Sequence, residues 1–159
     1  MITFKGNTLT FPVWDGTSRY IDLYTLIDNA IHRPVEYRVT GNTWEDIALN
    51  YYTGFHLYLR APDVSTFVEH NTYDNYTSND QLMQLSIAQT VTLTNNTFKN
   101  TKTPSYTFMR VDEAQACVID GFTFENITDV TDNLRNTLIS SFMDKGATMT
   151  ISNIVVRNS

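Results

Sequence analysis

Cysteine is almost missing from this chain. Cys117 is the single one in 159 residues, so no intrachain disulfide can form. Its neighbours are apolar, and it reads as a small buried hydrophobe. Charge is also scarce, at 18% of residues where about a quarter is usual. The polar surface must therefore come from Thr, Asn and Ser, which suit turns and half-exposed strands better than helices. Eleven Lys and Arg are scattered without a stripe, and the net charge is −6. Phosphate contacts need clustered basic side chains, so a nucleic-acid partner is not expected. No apolar run approaches the roughly 18 residues of a membrane span. The opening MITFKGNTLTF lacks a charged segment followed by an apolar one, so no signal peptide is legible.

What the chain has is a register. Four eleven-residue segments superpose without a gap: Ser65 to Asn75, Thr90 to Asn100, Ala116 to Asn126 and Thr148 to Asn158. Their final asparagines are spaced by 25, 26 and 32 residues. Such a period signals a solenoid, in which no repeat can bury its apolar face alone. In ACVIDGFTFEN, Cys117 and Ile119 share one face, and Phe122 and Phe124 the next. Val91, Leu93 and Phe98 hold matching columns, as do Met149, Ile151, Ile154 and Val156. The turn column His70, Asn95, Gly121 and Asn153 holds residues that tolerate a left-handed backbone. The terminal column Asn75, Asn100, Asn126 and Asn158 admits two readings, a left-handed turn or a ladder of stacked amides. Thr66, Asn71 and Asn96 stand where other copies are apolar. These copies either carry internal polar groups with partners, or their register drifts.

Earlier in the chain the texture differs. Residues 20–31 place apolar side chains at Tyr20, Leu23, Tyr24, Ile27, Ala30 and Ile31, the spacing of an amphipathic helix. Trp44, Ile47, Ala48 and Tyr51 predict a second short helix, with Thr43 and Asp46 as its capping pair and Gly54 as its stop. The expected organisation is an N-terminal α/β cap over 1–54 with two short helices. About four solenoid coils then follow over 55–159. FHLYLR, MQLSIA, FMRVDE and ISSFM supply a leading strand to each coil.

Segments such as VTLTNNTFKN and CVIDGFTFENI resemble the coil of the right-handed parallel β-helix of the pectin-lyase-like superfamily. The likeness covers about residues 55–159, and YIDLYTLIDNAI is similar to that family's capping helix. The resemblance implies an all-β fold and functions ranging from polysaccharide lyases and hydrolases to phage tailspikes, adhesins and surface fibres. The family's catalytic motifs do not stand intact here. Arg110, Asp112 and Glu113 are the candidates for chemistry on an exposed face, against the plainer reading of a solvated strand with an ion pair. A second stretch, Tyr37 to Tyr52, is similar to the opening of a LysM module, a small glycan-binding βααβ unit echoed in phage baseplate proteins.

The resulting expectation is a non-catalytic structural or recognition protein of an extracellular fibre, surface appendage or viral tail. It would stack or dock on other protein chains through the C-terminal coil end. The alternatives are a polysaccharide lyase or glycoside hydrolase, with Tyr58, Tyr73, Tyr76 and Tyr106 as glycan contacts, and a LysM-like baseplate component. His32, His56 and His70 lack metal-ligand spacing, and no cofactor is expected. Asn75, Asn95 and Asn126 lie in N-x-[S/T] sequons and are candidate glycosylation sites, although about three are expected by chance from this composition.

Overall fold

The computed structural model describes residues 2–10, 21–25, 35–49, 55–59, 64–78, 83–86, 89–102, 107–112, 114–128, 137–143 and 145–158. Within them every regular element is a β-strand, seventeen in all. The first three are β1 (Ile2–Lys5), β2 (Thr8–Thr10) and β3 (Ile21–Thr25). Then come β4 (Val35–Thr40), β5 (Thr43–Leu49) and β6 (Phe55–Leu59). β7 (Val64–Glu69), β8 (Thr72–Ser78) and β9 (Met83–Ser86) follow. The next trio is β10 (Thr90–Thr94), β11 (Thr97–Lys99) and β12 (Thr107–Asp112). β13 (Ala116–Asp120), β14 (Thr123–Glu125) and β15 (Thr137–Phe142) precede the final pair, β16 (Thr148–Ser152) and β17 (Val155–Arg157).

Each strand pairs in parallel with the strand three places later. Three parallel sheets result, ordered β1-β4-β7-β10-β13-β16, β2-β5-β8-β11-β14-β17 and β3-β6-β9-β12-β15. The chain thus visits the three sheets in rotation. The gapless superposition of the four segments is the pairing register: Ser65, Thr90, Ala116 and Thr148 are direct partners, as are Leu93, Ile119 and Ile151.

Two expectations fail. Residues 21–25 form β3, paired with β6 from Ile21↔Phe55 to Thr25↔Leu59, where a helix over 20–31 was expected; the rest of that span lies outside the described residues. Ile21 and Leu23 also satisfy a period of two, and the neighbouring strand supplies backbone partners that helical spacing does not count. Thr43–Leu49 is likewise the strand β5, not a helix, and Thr43 is no cap: it pairs with Thr8 and Thr72. Asp46 carries a φ of 52° there. A left-handed residue inside an extended run breaks its strict alternation, and Trp44 and Ile47 stand three apart in sequence, the spacing of a helix. The α/β cap over 1–54 is therefore not seen. Strands before and after Gly54 share the same three sheets. The LysM-like stretch is two strands meeting at Gly41-Asn42, without the first helix of that unit.

The core follows the parity of the strands. Tyr37, Thr66, Val91 and Cys117 form one buried column of the first sheet; Val39, Val68, Leu93 and Ile119 form the next. In the second sheet Trp44, Tyr73, Phe98 and Phe124 stack as a ring column. Successive centroids lie 5.8, 4.5 and 5.6 Å apart, and the planes are within about 10° of parallel. Leu85, Met109 and Val111 close the core from the third sheet. Burial of each large apolar side chain contributes about 1.5–3 kcal/mol.

Between the first two sheets the chain turns on a left-handed residue, followed at the four inner turns by a buried one. Gly6, Gly41, His70, Asn95, Gly121 and Asn153 all have φ between 52° and 68°. The residues after them at three successive turns are Asn42, Asn71 and Asn96, each 1% exposed or less. Their amides form an internal ladder. Asn7 N and Nδ2 donate to Asn42 Oδ1, Asn42 N and Nδ2 to Asn71 Oδ1, and Asn71 N and Nδ2 to Asn96 Oδ1, at 3.0–3.1 Å. Each buried amide also donates to a backbone carbonyl: Asn42 to Phe4, Asn71 to Val39 and Asn96 to Val68. The polar residues at this position are thus partnered, and the register does not drift. Phe122 and Ile154 take over the column where the ladder ends.

Thr66 is the exception. Its hydroxyl is buried without a hydrogen-bond partner among the described residues. An unmade bond of this kind costs about 1–3 kcal/mol. Thr66→Val keeps the shape, places an apolar group between Tyr37 and Val91, and is expected to raise stability by about 1 kcal/mol. Thermal unfolding followed by circular dichroism checks this; a lowered midpoint would contradict the assignment.

Candidate functional site

Outward positions of the same strands make the surface. On the first sheet Arg38 lies with its guanidinium carbon 4.1 Å from the Phe67 ring centroid. It also pairs with Glu36 and, at 3.3 Å, with Glu69. Thr94 Oγ1 donates to Glu69 Oε1. This cluster occupies its own charges. C-terminal to it the face is rich in threonine, with Thr90, Thr92 and Thr94 on β10 and Thr148 and Thr150 on β16.

The outward columns of the second sheet are equally regular. Thr8, Thr43, Thr72, Thr97 and Thr123 stand in register. Beside them Glu45, Asp74, Lys99, Glu125 and Arg157 form a charged column, in which Lys99 Nζ reaches Asp74 Oδ2 at 2.8 Å. Burial alone would push the Asp74 carboxyl up. The bonds from Lys99 and Asn100, together with the Lys99 charge, outweigh burial and hold it below its ordinary value. A depressed carboxylate contributes stability above its unfolded pKa of about 3.9, and loses it as pH falls through the folded value. The advantage of wild type over Asp74→Asn is therefore expected to vanish as pH drops from about 5 to below 3. The pair is partly exposed, so the difference at neutral pH is about 0.5 kcal/mol. Urea titrations at several pH values measure it; a gap that widens in acid would contradict the pairing.

The second left-handed column follows five residues after the first. Asp46, Asn75, Asn100, Asn126 and Asn158 have φ between 49° and 52°. Asn126 Nδ2 donates to Asn100 Oδ1 at 2.9 Å, Asn100 Nδ2 to Asp74 Oδ1 and Asn75 Nδ2 to Asp46 Oδ1, both at 2.8 Å. Turn geometry and lateral amide bonds thus coexist in one exposed column. The sequon residues Asn75, Asn95 and Asn126 are all exposed at corners.

Arg110 and Asp112 lie together on β12, with Arg110 Nε 2.7 Å from Asp112 Oδ2. Their partners on the adjacent strands are Gln84 and Ser140 for Arg110, and Ser86 and Phe142 for Asp112, none a carboxylate. Glu113, Asp129, Asp132, His32 and Tyr106 lie outside the described residues, as do the side chains of Tyr58, Tyr76 and His56. Tyr73 belongs to the ring column and is fully buried, so it offers no glycan contact. Burial pushes the Cys117 thiol up to about 12, leaving no thiolate near neutral pH. Among the described residues no group of three His, Cys, Asp or Glu could hold a metal ion. No helix among them is long and apolar enough to cross a membrane, which says nothing of a β-barrel.

Among the described residues the edge formed by β16 and β17 holds most of the exposed large apolar side chains. Ile151 is 49% exposed and Val156 46%, whereas their register partners Ile119 and Phe124 are fully buried. Val155 is 38% exposed beside them. Core columns here meet solvent, next to strand backbone that no further strand pairs among the described residues. Sequence reasoning marked this end and held partnered internal polar groups as one of two readings at Asn71 and Asn96, but did not join them with Asn7 and Asn42 into one ladder. Its signal was present: Gly6-Asn7-Thr8, Gly41-Asn42-Thr43, His70-Asn71-Thr72 and Asn95-Asn96-Thr97 repeat one tripeptide pattern. No protein-family model, no curated protein and no solved structure matches this chain.

Proposed function

We propose that the chain is a right-handed parallel β-helix serving as a non-catalytic structural or recognition element, of the kind found in an extracellular fibre, surface appendage or viral tail, and that its β16–β17 edge docks another protein chain. Rotation through three parallel sheets supports the winding, and parallel crossovers are right-handed in nearly all proteins. The observation that carries the function is the exposure of Ile151 and Val156 in columns that are buried from Val39 to Ile119 and from Trp44 to Phe124. Apolar strand edges of this kind are templates for strand addition. The internal ladders stiffen the element along the stack, which suits a load-bearing part more than a pocket that must move.

Two measurements test the reading. An apolar dye is expected to bind dilute protein at this edge, and Ile151→Ser with Val156→Ser is expected to remove most of that binding. Incubation with acidic and neutral polysaccharides should release no new reducing ends or unsaturated sugars. Turnover abolished by Asp112→Asn would overturn the non-catalytic assignment in favour of a polysaccharide-cleaving enzyme.

A further inference from the structure

The identity of the docked chain can be argued from hydrogen-bonding complementarity between two edges of the same molecule; this deepens the docking proposal and rests on it. Along the stack the corners share one backbone hydrogen-bonding pattern. The N–H of the left-handed residue donates to the carbonyl one circuit later, as in Gly6 to Thr40, Gly41 to Glu69, His70 to Thr94, Asn95 to Asp120 and Gly121 to Ser152. At the first three corners the next N–H donates to an asparagine side chain one circuit later, Asn7 to Asn42, Asn42 to Asn71 and Asn71 to Asn96; beyond Asn96 the column is Phe122 and Ile154 and this bond is not made. The first residue of the second-sheet strand donates backwards, as Thr43 does to Asn7 O.

At the β16–β17 edge the pattern breaks off. Among the described residues nothing accepts from the backbone N–H of Asn153 and nothing donates to Ile154 O; the Ile154 N–H lies past the end of the asparagine ladder, like those of Asn96 and Phe122 before it. At the β1–β2 edge the complementary half is left over. Asn7 is exposed, and among the described residues no donor reaches its Oδ1, the group that in Asn42, Asn71 and Asn96 accepts from the preceding circuit. Thr8 N–H likewise has no partner among the described residues.

We propose that the β16–β17 edge seats the β1–β2 edge of a second copy of this chain. In that register Asn153 N–H meets Lys5 O, Ile154 N–H meets Asn7 Oδ1, and Thr8 N–H meets Ile154 O. The apolar columns continue, with Ile151 against the position of Phe4 and Val156 against that of Leu9. Lys5 enters the outward column of Ser152 and Asp120, placing a cation on a stretch that holds a carboxylate. The contact is heterologous and does not close on itself, so the product is an open filament. Six circuits at the interstrand spacing give an axial repeat of about 29 Å per copy.

Sedimentation velocity of the 159-residue protein over about a hundredfold concentration range reads the assembly. The expected result is an open series of dimer, trimer and larger species. Two edge variants separate the halves of the contact. Ile151→Lys/Val156→Lys blocks one edge and Asn7→Leu/Thr8→Pro the other, with circular dichroism confirming that each is folded. Each alone should weaken association at least about tenfold, and an equimolar mixture of the two should stop at a dimer. A closed dimer that Asn7→Leu/Thr8→Pro leaves intact would overturn the proposal in favour of edge-to-same-edge pairing. A monomer at every concentration that still binds the apolar dye at Ile151 and Val156 would overturn the second copy as occupant, while leaving a docking edge for a different chain. Absence of dye binding to wild type at a dilution where sedimentation shows monomer alone would instead remove the docking reading itself.

Discussion

Asn71→Leu is expected to remove about 3–5 kcal/mol of folding stability, a large part of the 5–15 kcal/mol typical of a domain. Leucine is similar in size and apolar, so a view of this position as ordinary core would expect little change. The geometry says otherwise. Asn71 Oδ1 accepts from both the N–H and the Nδ2 of Asn42, and its Nδ2 donates to Val39 O and Asn96 Oδ1. Removing the amide strands the Asn42 N–H and the Val39 carbonyl in a site shut off from water. Each stranded group costs about 1–3 kcal/mol. Asn7→Ala, at the exposed end of the same ladder, should cost under about 1 kcal/mol. Urea denaturation of both variants decides it. If Asn71→Leu cost no more than Asn7→Ala, the ladder would not be what holds this corner.

Phe98→Ala is the second large effect, at about 3–5 kcal/mol. The ring stands 4.5 Å from Tyr73 on one side and 5.6 Å from Phe124 on the other, nearly parallel to both. It also contacts Phe122, at 6.2 Å. Deletion leaves a cavity between two planes that the strand spacing holds apart, so collapse is hindered and the cavity cost persists. A double-mutant cycle between Tyr73 and Phe98 should return about 0.5–1.5 kcal/mol of coupling beyond the area lost. Denaturant midpoints at constant slope give the energies. Additive behaviour of the pair would show that the rings fill space without interacting.

Much of the first two sheets was legible in the residues. The parity of Val91, Leu93, Ile119 and Phe124, and the column His70, Asn95, Gly121 and Asn153, placed strands and corners because both are local constraints. The stretch before Gly54 was misread for an equally physical reason. Asp46 breaks the strict alternation of β5, so periodicity reported a helix where pairing with β2 and β8 makes a strand. Asn42 and Asn71 were hard to place because hydropathy treats an amide as surface, whereas a ladder lets it lie inside. The exposed edge was marked in outline, but its hydrogen-bonding complement at Asn7 depends on which amide oxygen is left over, and only coordinates show that.

At the five turns where both are described, the two left-handed columns are five residues apart: Gly41 and Asp46, His70 and Asn75, Asn95 and Asn100, Gly121 and Asn126, Asn153 and Asn158. The intervals from one corner to the next are not fixed, running through 35, 29, 25, 26 and 32 residues from Gly6 onward. Every length change has therefore fallen outside that short clamp, in the stretches leading to and from the third sheet. Loop length is thermodynamically cheap there, because closure entropy grows only with its logarithm. The architecture separates a spine of constant spacing from an adjustable flank, and new specificity can be grafted onto the flank without disturbing how neighbouring layers recognise one another.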